Sequence, residues 1–312
     1  MINYIVFIIL GLLMLFLGGD WLVRGASRIS IRIGISVMVV GLTVVAFGTS
    51  APEFIVSLIA SYNKKGDVAL GNIIGSNIAN IALILGVTAL IRPIKIKANS
   101  VNKEIIWMLV AVVAFFITAV LGEISRIGGV IFLTLFGTFL YGCFKRKDKS
   151  LPESQKNEIK GPVLYDAFFL ISGLILLVFG GKVVVKNAVY LAKMLNISEL
   201  FIGIVIIALG TSLPELITGI IASIKDKQDI AVGNVVGSNI FNILWVLGVC
   251  ALVWPLKLDV TILKFHMPAL ILFSVIAVRL VRSGHIITRL EGFFLTCAYF
   301  IYISINYIYL VK

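Results

Sequence analysis

Two glutamates stand in long apolar stretches, and both follow nearly the same five residues. Glu53 ends the run Gly-Thr-Ser-Ala-Pro-Glu that begins at Gly48, and Glu215 ends the run Gly-Thr-Ser-Leu-Pro-Glu that begins at Gly210. Carboxylate, hydroxyl and carbonyl oxygens are the ligands of hard cations such as calcium. Softer metals favour histidine and cysteine, which both runs lack. The residue types therefore predict a site for a hard cation.

The two runs belong to one longer repeat with a constant offset of 162 positions. Between Gly41 and Ile94, 28 of 54 residues are identical to their counterparts in the second copy. A further motif, Gly-Asn-x-x-Gly-Ser-Asn-x-x-Asn, begins at Gly71 and again at Gly233. Lipid contact requires only apolar side chains, so it can explain matching Ile and Leu but not matching Thr, Ser, Pro, Glu and Asn. The shared polar residues indicate a function.

The composition is that of a polytopic membrane protein. Of the 312 residues, 60% are hydrophobic and 13% are charged, and the mean hydropathy is +1.10. These values lie far outside the range of soluble domains. A helix needs about 20 apolar residues to cross the hydrocarbon. The apolar runs predict an all-α membrane protein with ten transmembrane helices, at 3–19, 33–60, 68–91, 104–122, 127–144, 163–181, 197–224, 230–254, 265–281 and 290–310.

One long polar segment separates the ten spans into two sets of five. We predict a first five-helix repeat at 1–144, a linker at 145–162 and a second five-helix repeat at 163–312. With the N-terminus outside, 18 of the 27 Lys and Arg residues fall on the cytoplasmic side, as the positive-inside rule requires. We therefore expect a multi-pass protein of the cell membrane with both termini outside and a cytoplasmic linker. The net charge of +12 follows from this placement and does not indicate a nucleic-acid partner.

The second copy is predicted to be inverted relative to the first. Five spans separate Glu53 from Glu215, and an odd number of crossings reverses the direction of the chain. Counting from the nearest charged loop residues places both glutamates about 15 Å deep at 1.5 Å per helical residue, the middle of a core of roughly 30 Å. Inverted repeats with a site at the midplane between them are typical of secondary transporters.

A carboxylate at this depth costs several kcal/mol and persists mainly where it pairs, faces a cavity or binds a cation. No Lys or Arg in the repeat spans is placed to pair with either glutamate. We expect Gly48 and Gly210 to let the helix break, and Pro52 and Pro214 lack the amide that would continue it. The freed backbone carbonyls become candidate ligands, those of Ala46, Thr49, Ala208 and Thr211.

Structural roles remain open for several of these residues. Ser50 and Glu53, like Ser212 and Glu215, match a capping box that only begins a helix. Helix–helix hydrogen bonding accounts for four asparagines at least as well as ligation does, namely Asn72, Asn77, Asn234 and Asn239. Two further asparagines are candidate ligands because each follows a motif serine by one helical turn, Asn80 after Ser76 and Asn242 after Ser238.

Both copies resemble the alpha repeats of the calcium/cation antiporter superfamily, with the signatures G-T-S-x-P-E and G-N-x-x-G-S-N-x-x-N/D. The resemblance is closest to prokaryotic sodium/calcium exchangers and covers essentially the whole chain. It implies ten helices in two inverted five-helix repeats with ion sites at the midplane. It also implies a secondary antiporter that exchanges sodium for calcium across the membrane by alternating access. Sodium and calcium would be bound as transported ions, with no cofactor and no obligate protein partner.

Carried over by position, the resemblance implies a calcium site made by Glu53, Glu215 and the carbonyls of Thr49 and Thr211. It implies flanking sodium sites completed by Ala46, Ser50, Ser76, Ala208, Ser212 and Ser238. Asn80 and Asn242 would border the central position. Some relatives, including potassium-dependent exchangers and certain archaeal members, have Asp at the position of Asn242, so the Asn here disfavours potassium co-transport. A site charge of minus two makes exchange against three sodium ions electrogenic.

Three other functions share some of these features. A calcium/proton antiporter could unload the same glutamates by protonation, but that branch resembles G-N-x-x-E-H, whereas here Gly-Ser follows. A channel fits paired inverted repeats less well than alternating access does. An intramembrane enzyme could use two carboxylates as an acid/base pair, but His266 and His285 lie outside the repeat motifs. The calcium/proton antiporter is therefore the main alternative.

Overall fold

The structure is a computed structural model that describes residues 2–96, 102–145, 161–195, 208–283 and 286–311. Nearly all of these residues are helical. The helices before the predicted linker are α1 (Ile2–Ile33), α2 (Val37–Thr49), α3 (Ala51–Tyr62), α4 (Gly66–Ile91), α5 (Asn102–Val120) and α6 (Arg126–Phe144). The helices after it are α7 (Val163–Met194), α8 (Ala208–Thr211), α9 (Leu213–Ile224), α10 (Gln228–Val253), α11 (Met267–Ser283) and α12 (Arg289–Val311).

Eight of the described helices are long and apolar enough to cross a membrane, α11 being counted with the π-helical turn Ile262–His266 before it. They are α1, α4, α5, α6, α7, α10, α11 and α12. The pair α2 and α3, bent by 49°, makes a ninth if it is counted as one span. The first part of the predicted span 197–224 and most of the linker at 145–162 lie outside the described residues. The protein is therefore multi-pass, and the tenth span stays a prediction.

Helices α4 and α10, which carry the Gly-Asn motifs, are the most deeply buried of these spans, and α5, α6, α11 and α12 pack against them. Three stretches within α2, α4 and α10 are π-helical, at Gly41–Val45, Asn80–Ile84 and Phe241–Val246. Wide turns of this kind are rare and frequently occur at functional sites. Three of the four π-helical stretches in the described residues thus lie in spans that contain predicted ligands.

Helices α1 and α7 pack together through glycines. A Cβ atom on Gly18 would lie 2.8 Å from the backbone of α7, and one on Gly173 would lie 2.5 Å from the backbone of α1. Small residues at such contacts allow close helix packing in lipid. At one end of the pair, the fully buried Asp166 in the first turn of α7 forms ion pairs with Arg28 and Arg32 of α1. The two helices are therefore joined along their length.

Residues that are 162 positions apart share local conformation at the helix ends. Arg92 ends α4 with φ −147° and ψ 126°, and Trp254 ends α10 with φ −147° and ψ 124°. Lys64 and Asp226 are both in the left-handed region, with φ 60° and 58°. A short antiparallel strand pair follows each of α4 and α10. After α4, β1 (Ile94–Lys95) pairs with β4 (Ile286–Ile287), and after α10, β3 (Leu256–Lys257) pairs with β2 (Glu123–Ile124).

The two halves differ in how α1 and α7 meet the rest of the molecule. A Cβ atom on Gly19 of α1 would lie 2.6 Å from Ile221 of α9, and Ile221 is only 4% exposed. The equivalent of Ile221 in the first half is Ile59 of α3, which is 56% exposed. Near the first contact, Lys225 forms an ion pair with Asp20 of α1. The α1 side is therefore closed against α9, whereas α3 is open at the equivalent position.

Candidate cation site

The first glutamate motif lies at the bend between α2 and α3. Pro52 is in the first turn of α3, where its missing amide removes no helical hydrogen bond. Glu53 is in the same turn, where the positive end of the helix dipole stabilises a carboxylate. Thr49 is at the end of α2, where carbonyl oxygens carry the opposite partial charge and attract cations. In the second half, Glu215 occupies the same place in the first turn of α9.

The two glutamates are bonded to serines of the opposite half. The hydroxyl of Ser50 donates to Glu215 Oε1 at 2.9 Å, and that of Ser212 donates to Glu53 Oε1 at 3.2 Å. Ser50 Oγ also lies 2.9 Å from Ser238 Oγ on α10. Both carboxyl groups are 1% exposed. The two motifs therefore form one shared cluster in the protein interior.

The threonines of the motifs add a second pair of contacts to this cluster. The side chain of Thr211 lies beside the Glu53 carboxyl, and that of Thr49 lies beside the Glu215 carboxyl. Thr49 is fully buried, and its hydroxyl lies 3.4 Å from the carbonyl of Ala46. Every contact of the two carboxyl groups with these serines and threonines thus crosses from one half to the other.

The capping-box interpretation is wrong for this structure. Ser50 precedes α3 and Ser212 precedes α9, but neither hydroxyl makes a capping hydrogen bond to the helix that follows. Each hydroxyl is directed instead to the carboxylate of the opposite half. An ionised carboxylate is the stronger acceptor, since charge-assisted hydrogen bonds are roughly twice as strong as neutral ones.

The motif glycines serve close packing and do not break the helix, which corrects our expectation. Gly48 lies within α2, and a Cβ atom there would be 2.2 Å from Leu174 of α7. At Gly210 in α8, a Cβ atom would be 2.1 Å from Val185 of α7. The break in the first half comes two residues later, at Ser50, with φ −81° and ψ 8°.

The carbonyl of Ala46 is not freed by that break. It accepts the backbone amide of Ser50 at 3.0 Å, so only its second lone pair remains for a cation. Most predicted ligands are nevertheless buried with it, each at most 4% exposed: Thr49, Ser50, Glu53, Ser76, Asn80, Ser212, Glu215, Ser238 and Asn242. Thr211 is half-buried. Ala208 is the first residue of α8, and nothing is described of its side chain.

Several oxygens of this cluster have no hydrogen-bond donor among the described residues. They are Glu53 Oε2, Glu215 Oε2, Asn80 Oδ1 and Asn242 Oδ1, all of them buried. In the described part of the chain, neither glutamate forms an ion pair with Lys, Arg or His. Buried polar oxygens without partners are costly unless a bound group satisfies them. Unpaired oxygens next to two carboxylates suit a cation.

Three of the four asparagines for which helix–helix hydrogen bonding is the alternative to ligation contact this cluster. Asn234 Oδ1 accepts the hydroxyl of Thr49 at 3.0 Å, and Asn239 Oδ1 lies 3.4 Å from Asn80 Nδ2. Asn72 Nδ2 donates to the carbonyl of Glu53 at 3.1 Å. Their place in the repeated Gly-Asn motif was the available signal. Which group each amide meets could not be read from the sequence, because the partners come from other helices.

The donor set determines which ions this cluster can hold. It consists of two carboxylates with hydroxyl, amide and carbonyl oxygens, the set that calcium and sodium accept. The described residues contain no group of three or more His, Cys, Asp or Glu side chains that could hold a metal ion. A site for a soft transition metal therefore has no support in the described part of the chain.

The chain is similar to several known proteins. The family model described as "Sodium/calcium exchanger protein" matches residues 3–145 and 165–308. The chain is 40% identical to inner membrane protein YrbG of Escherichia coli, over 86% of each chain. It is 32% identical to sodium/calcium exchanger MaX1 of Methanosarcina acetivorans, over 96% of each chain. Among solved structures, the sodium-calcium exchanger NCX_Mj superposes with a TM-score of 0.85 at 33% identity, over 97% of this chain and 98% of that one.

Proposed function

This chain belongs to the sodium/calcium exchanger family of the calcium/cation antiporters, and from that membership we propose that it exchanges sodium for calcium by alternating access, electrogenically and without potassium. Its named relatives are transporters, and it is a cation antiporter and not an enzyme. The observation that carries the proposal is the pair of buried glutamates, Glu53 and Glu215, each bonded to the serine of the opposite half.

The proposed calcium site consists of Glu53, Glu215 and the carbonyls of Thr49 and Thr211. These carboxylates are buried without a basic partner among the described residues, and each has one oxygen that makes no hydrogen bond there. The proposed flanking sodium sites use Ala46, Ser50, Ser76, Ala208, Ser212 and Ser238. Hydroxyls suit this role because they are weaker ligands than carboxylates. Sodium at these positions would compete with calcium for the same two glutamates.

We further propose that the protein consists of two inverted five-helix repeats, 1–144 and 163–312, joined by a cytoplasmic linker at 145–162, with both termini outside. The matched backbone angles at equivalent helix ends support the repeat. Two ion pairs, Arg92 with Asp226 and Asp20 with Lys225, join residues that the predicted topology assigns to the cytoplasmic side. The basic linker follows the same side, as the positive-inside rule requires.

Alternating access is supported by the unequal packing of α1 and α7. Ile221 is buried against α1 at the predicted cytoplasmic end, whereas its counterpart Ile59 is exposed. An inverted-repeat transporter changes its open side when the two halves exchange such contacts. In the predicted topology this conformation is open toward the outside. We propose that α1 and α7 move together, since their glycine contacts and the Asp166 ion pairs join them.

The proposed stoichiometry follows from the charge of the site. One calcium ion or two sodium ions would neutralise Glu53 and Glu215, so a third sodium ion carries one net positive charge across per cycle. Asn242 adds no charge, and it occupies the position where potassium-dependent relatives have Asp. Both polar side-chain atoms of Asn242, Nδ2 and Oδ1, are buried without hydrogen bonds among the described residues.

Uptake of calcium-45 into proteoliposomes tests the proposal. Vesicles loaded with sodium should take up calcium in a saturable manner, and dissipating the sodium gradient should stop the uptake while dissipating a pH gradient should not. The reverse pattern would establish the calcium/proton alternative. Each cycle moves three sodium ions out and one calcium ion in, so one net positive charge leaves the vesicle. An inside-positive potential should therefore accelerate calcium uptake and an inside-negative one should slow it, and an uptake rate unaffected by potential would refute electrogenic exchange. Flux without saturation or counter-ion would indicate a channel.

A further inference from the structure

Asn72 and Asn234, the equivalent asparagines that follow the first glycine of each Gly-Asn motif, make different hydrogen bonds in the two halves. Asn72 Nδ2 donates to the carbonyl of Glu53 at 3.1 Å and to the hydroxyl of Ser57 at 2.9 Å, both in its own half. Asn234, its equivalent, accepts the hydroxyl of Thr49 at 3.0 Å, across 185 positions of the chain. Identical motif residues are therefore bonded to different halves of the molecule.

One difference between the copies accompanies this change of partner. The counterpart of Ser57 in the second half is Gly219, which has no hydroxyl to bind an asparagine amide. Asn234 is fully buried, and its Nδ2 atom makes no hydrogen bond among the described residues. The contact with Thr49 is thus the hydrogen bond that holds this side chain in the structure.

A second pair of asparagines repeats the pattern. Asn77 Nδ2 bonds to the carbonyl of Ile73 in its own helix at 2.6 Å. Its equivalent, Asn239, accepts Asn80 Nδ2 of the first half at 3.4 Å and directs its own amide to the sulfur of Met108. With its nitrogen engaged in this way, Asn80 keeps its oxygen without a donor in the described part of the chain.

We propose that Asn234 is a positioning residue for Thr49, and that Asn239 has the same role for Asn80. The second half thereby orients ligands contributed by the first half, while Asn72 and Asn77 hold backbone groups of their own half. The inference rests on the proposed function in one respect, that Thr49 is a calcium ligand.

The connection from Asn234 to the ion runs through the end of α2. Thr49 is the last residue of that helix, and its carbonyl is the proposed ligand. A hydrogen bond to the Thr49 hydroxyl restricts the side chain and with it the orientation of this terminal residue. Because Asn234 is on α10, the bond forms only while the two halves are held at this separation.

Equilibrium binding of calcium-45 to the purified full-length protein, without sodium, tests this role. N234A and T49V should each weaken binding several-fold, on the order of 3 to 10, the range of one lost buried hydrogen bond. T49V keeps the backbone carbonyl and the side-chain shape. If Asn234 acts through the Thr49 hydroxyl, the double variant N234A/T49V should bind calcium as well as the single variant with the lower affinity. The free-energy effects of two residues that act through one contact do not add.

Matched variants separate positioning from general damage. In N234A/T211V the fold-losses of calcium affinity of the two single variants should multiply, because Thr211 belongs to the other half of the site. T49S keeps the hydroxyl, so N234A should still weaken binding in its presence. N234L removes the acceptor and keeps a branched side chain, although a larger one. It replaces N234A if the small alanine side chain prevents folding as judged by elution and melting.

Two results would overturn the proposal. One is calcium affinity in N234A and N234L equal to that of the unchanged protein. The other is multiplication of the N234A and T49V effects, which would mean that the two residues act separately. Failure of the proposed exchange is a different result, since it is seen as sodium-independent flux of the unchanged protein in vesicles. The binding cycle does not depend on which ion drives transport.

Discussion

Replacing Gly237 by alanine is expected to damage both the fold and the site. A Cβ atom at this position would lie 2.3 Å from the carbonyl oxygen of Leu42 and 2.7 Å from its carbonyl carbon. Both atoms belong to the backbone of α2, so no rotamer change can relieve the contact. A shift of at least about 0.7 Å is needed to bring the nearest contact to 3.0 Å, and overpacking of this kind costs about 1–3 kcal/mol.

The same shift disturbs the candidate site. Gly237 adjoins Ser238, whose hydroxyl lies 2.9 Å from that of Ser50. Moving α10 away from α2 weakens that contact and costs about 1 kcal/mol of stability. The higher helix propensity of alanine offsets this loss, since it stabilises the helix by about 1 kcal/mol. We therefore expect G237A to lose about 1–3 kcal/mol of stability. At 2–4 °C per kcal/mol, the melting temperature should fall by about 2–12 °C.

The control for G237A is G137A. Gly137 lies within α6, is exposed, and has no described atom within 4 Å of its Cβ position. The two substitutions share the helix-propensity gain, so their difference isolates the contact with Leu42. Thermal unfolding in detergent and calcium-45 binding should show G137A unchanged or slightly more stable and G237A destabilised with weaker binding. Equal melting temperatures and equal calcium affinities in the two variants would refute the close approach of α2 and α10.

Three further substitutions test the site and its support. E53Q should abolish sodium-dependent calcium uptake, whereas E53D should retain part of it because the charge is kept; normal exchange by E53Q would disprove the assignment of Glu53. S50A removes the contacts to Glu215 and Ser238, and S212A removes the longer contact to Glu53. S50A should therefore lower the melting temperature and the sodium affinity more than S212A does. The opposite order would contradict the geometry. D166N removes the negative charge that pairs with Arg28 and Arg32 and should cost about 3 kcal/mol, seen as a lower melting temperature with the calcium affinity unchanged. Altered affinity would mean that this ion pair also shapes the site.

The positions of the spans were largely predictable, and their lengths were not. The span predicted at 127–144 agrees with α6, because the polar residues beside it stop both the apolar run and the helix. The spans predicted at 3–19 and 163–181 are too short, since α1 ends at Ile33 and α7 at Met194. Hydropathy cannot detect these extensions, in which charged residues such as Arg28 and Arg32 are stabilised by an ion pair from another helix.

The second predicted span, 33–60, shows a different limit. Its apolar character was recognised, but the structure divides it at Ser50 into two helices bent by 49°. Pro52 indicated a break without fixing its residue, since proline is equally compatible with the first turn of a new helix. Gly48 was assigned to the break, and its neighbour Leu174 comes from α7, more than a hundred residues later in the chain.

The amino-acid sequence by itself determined the chemistry of this protein. It contains two glutamates with oxygen-donating neighbours in apolar surroundings, repeated at a constant offset, and these residue types select hard cations wherever the chain brings them together. The tertiary structure decided the pairing: Ser50 with Glu215, Ser212 with Glu53, and Asn234 with Thr49. Two copies of one motif are locally alike, so their sequence cannot distinguish a bond within a half from a bond between halves. Only the packing of helices far apart in the chain makes that choice.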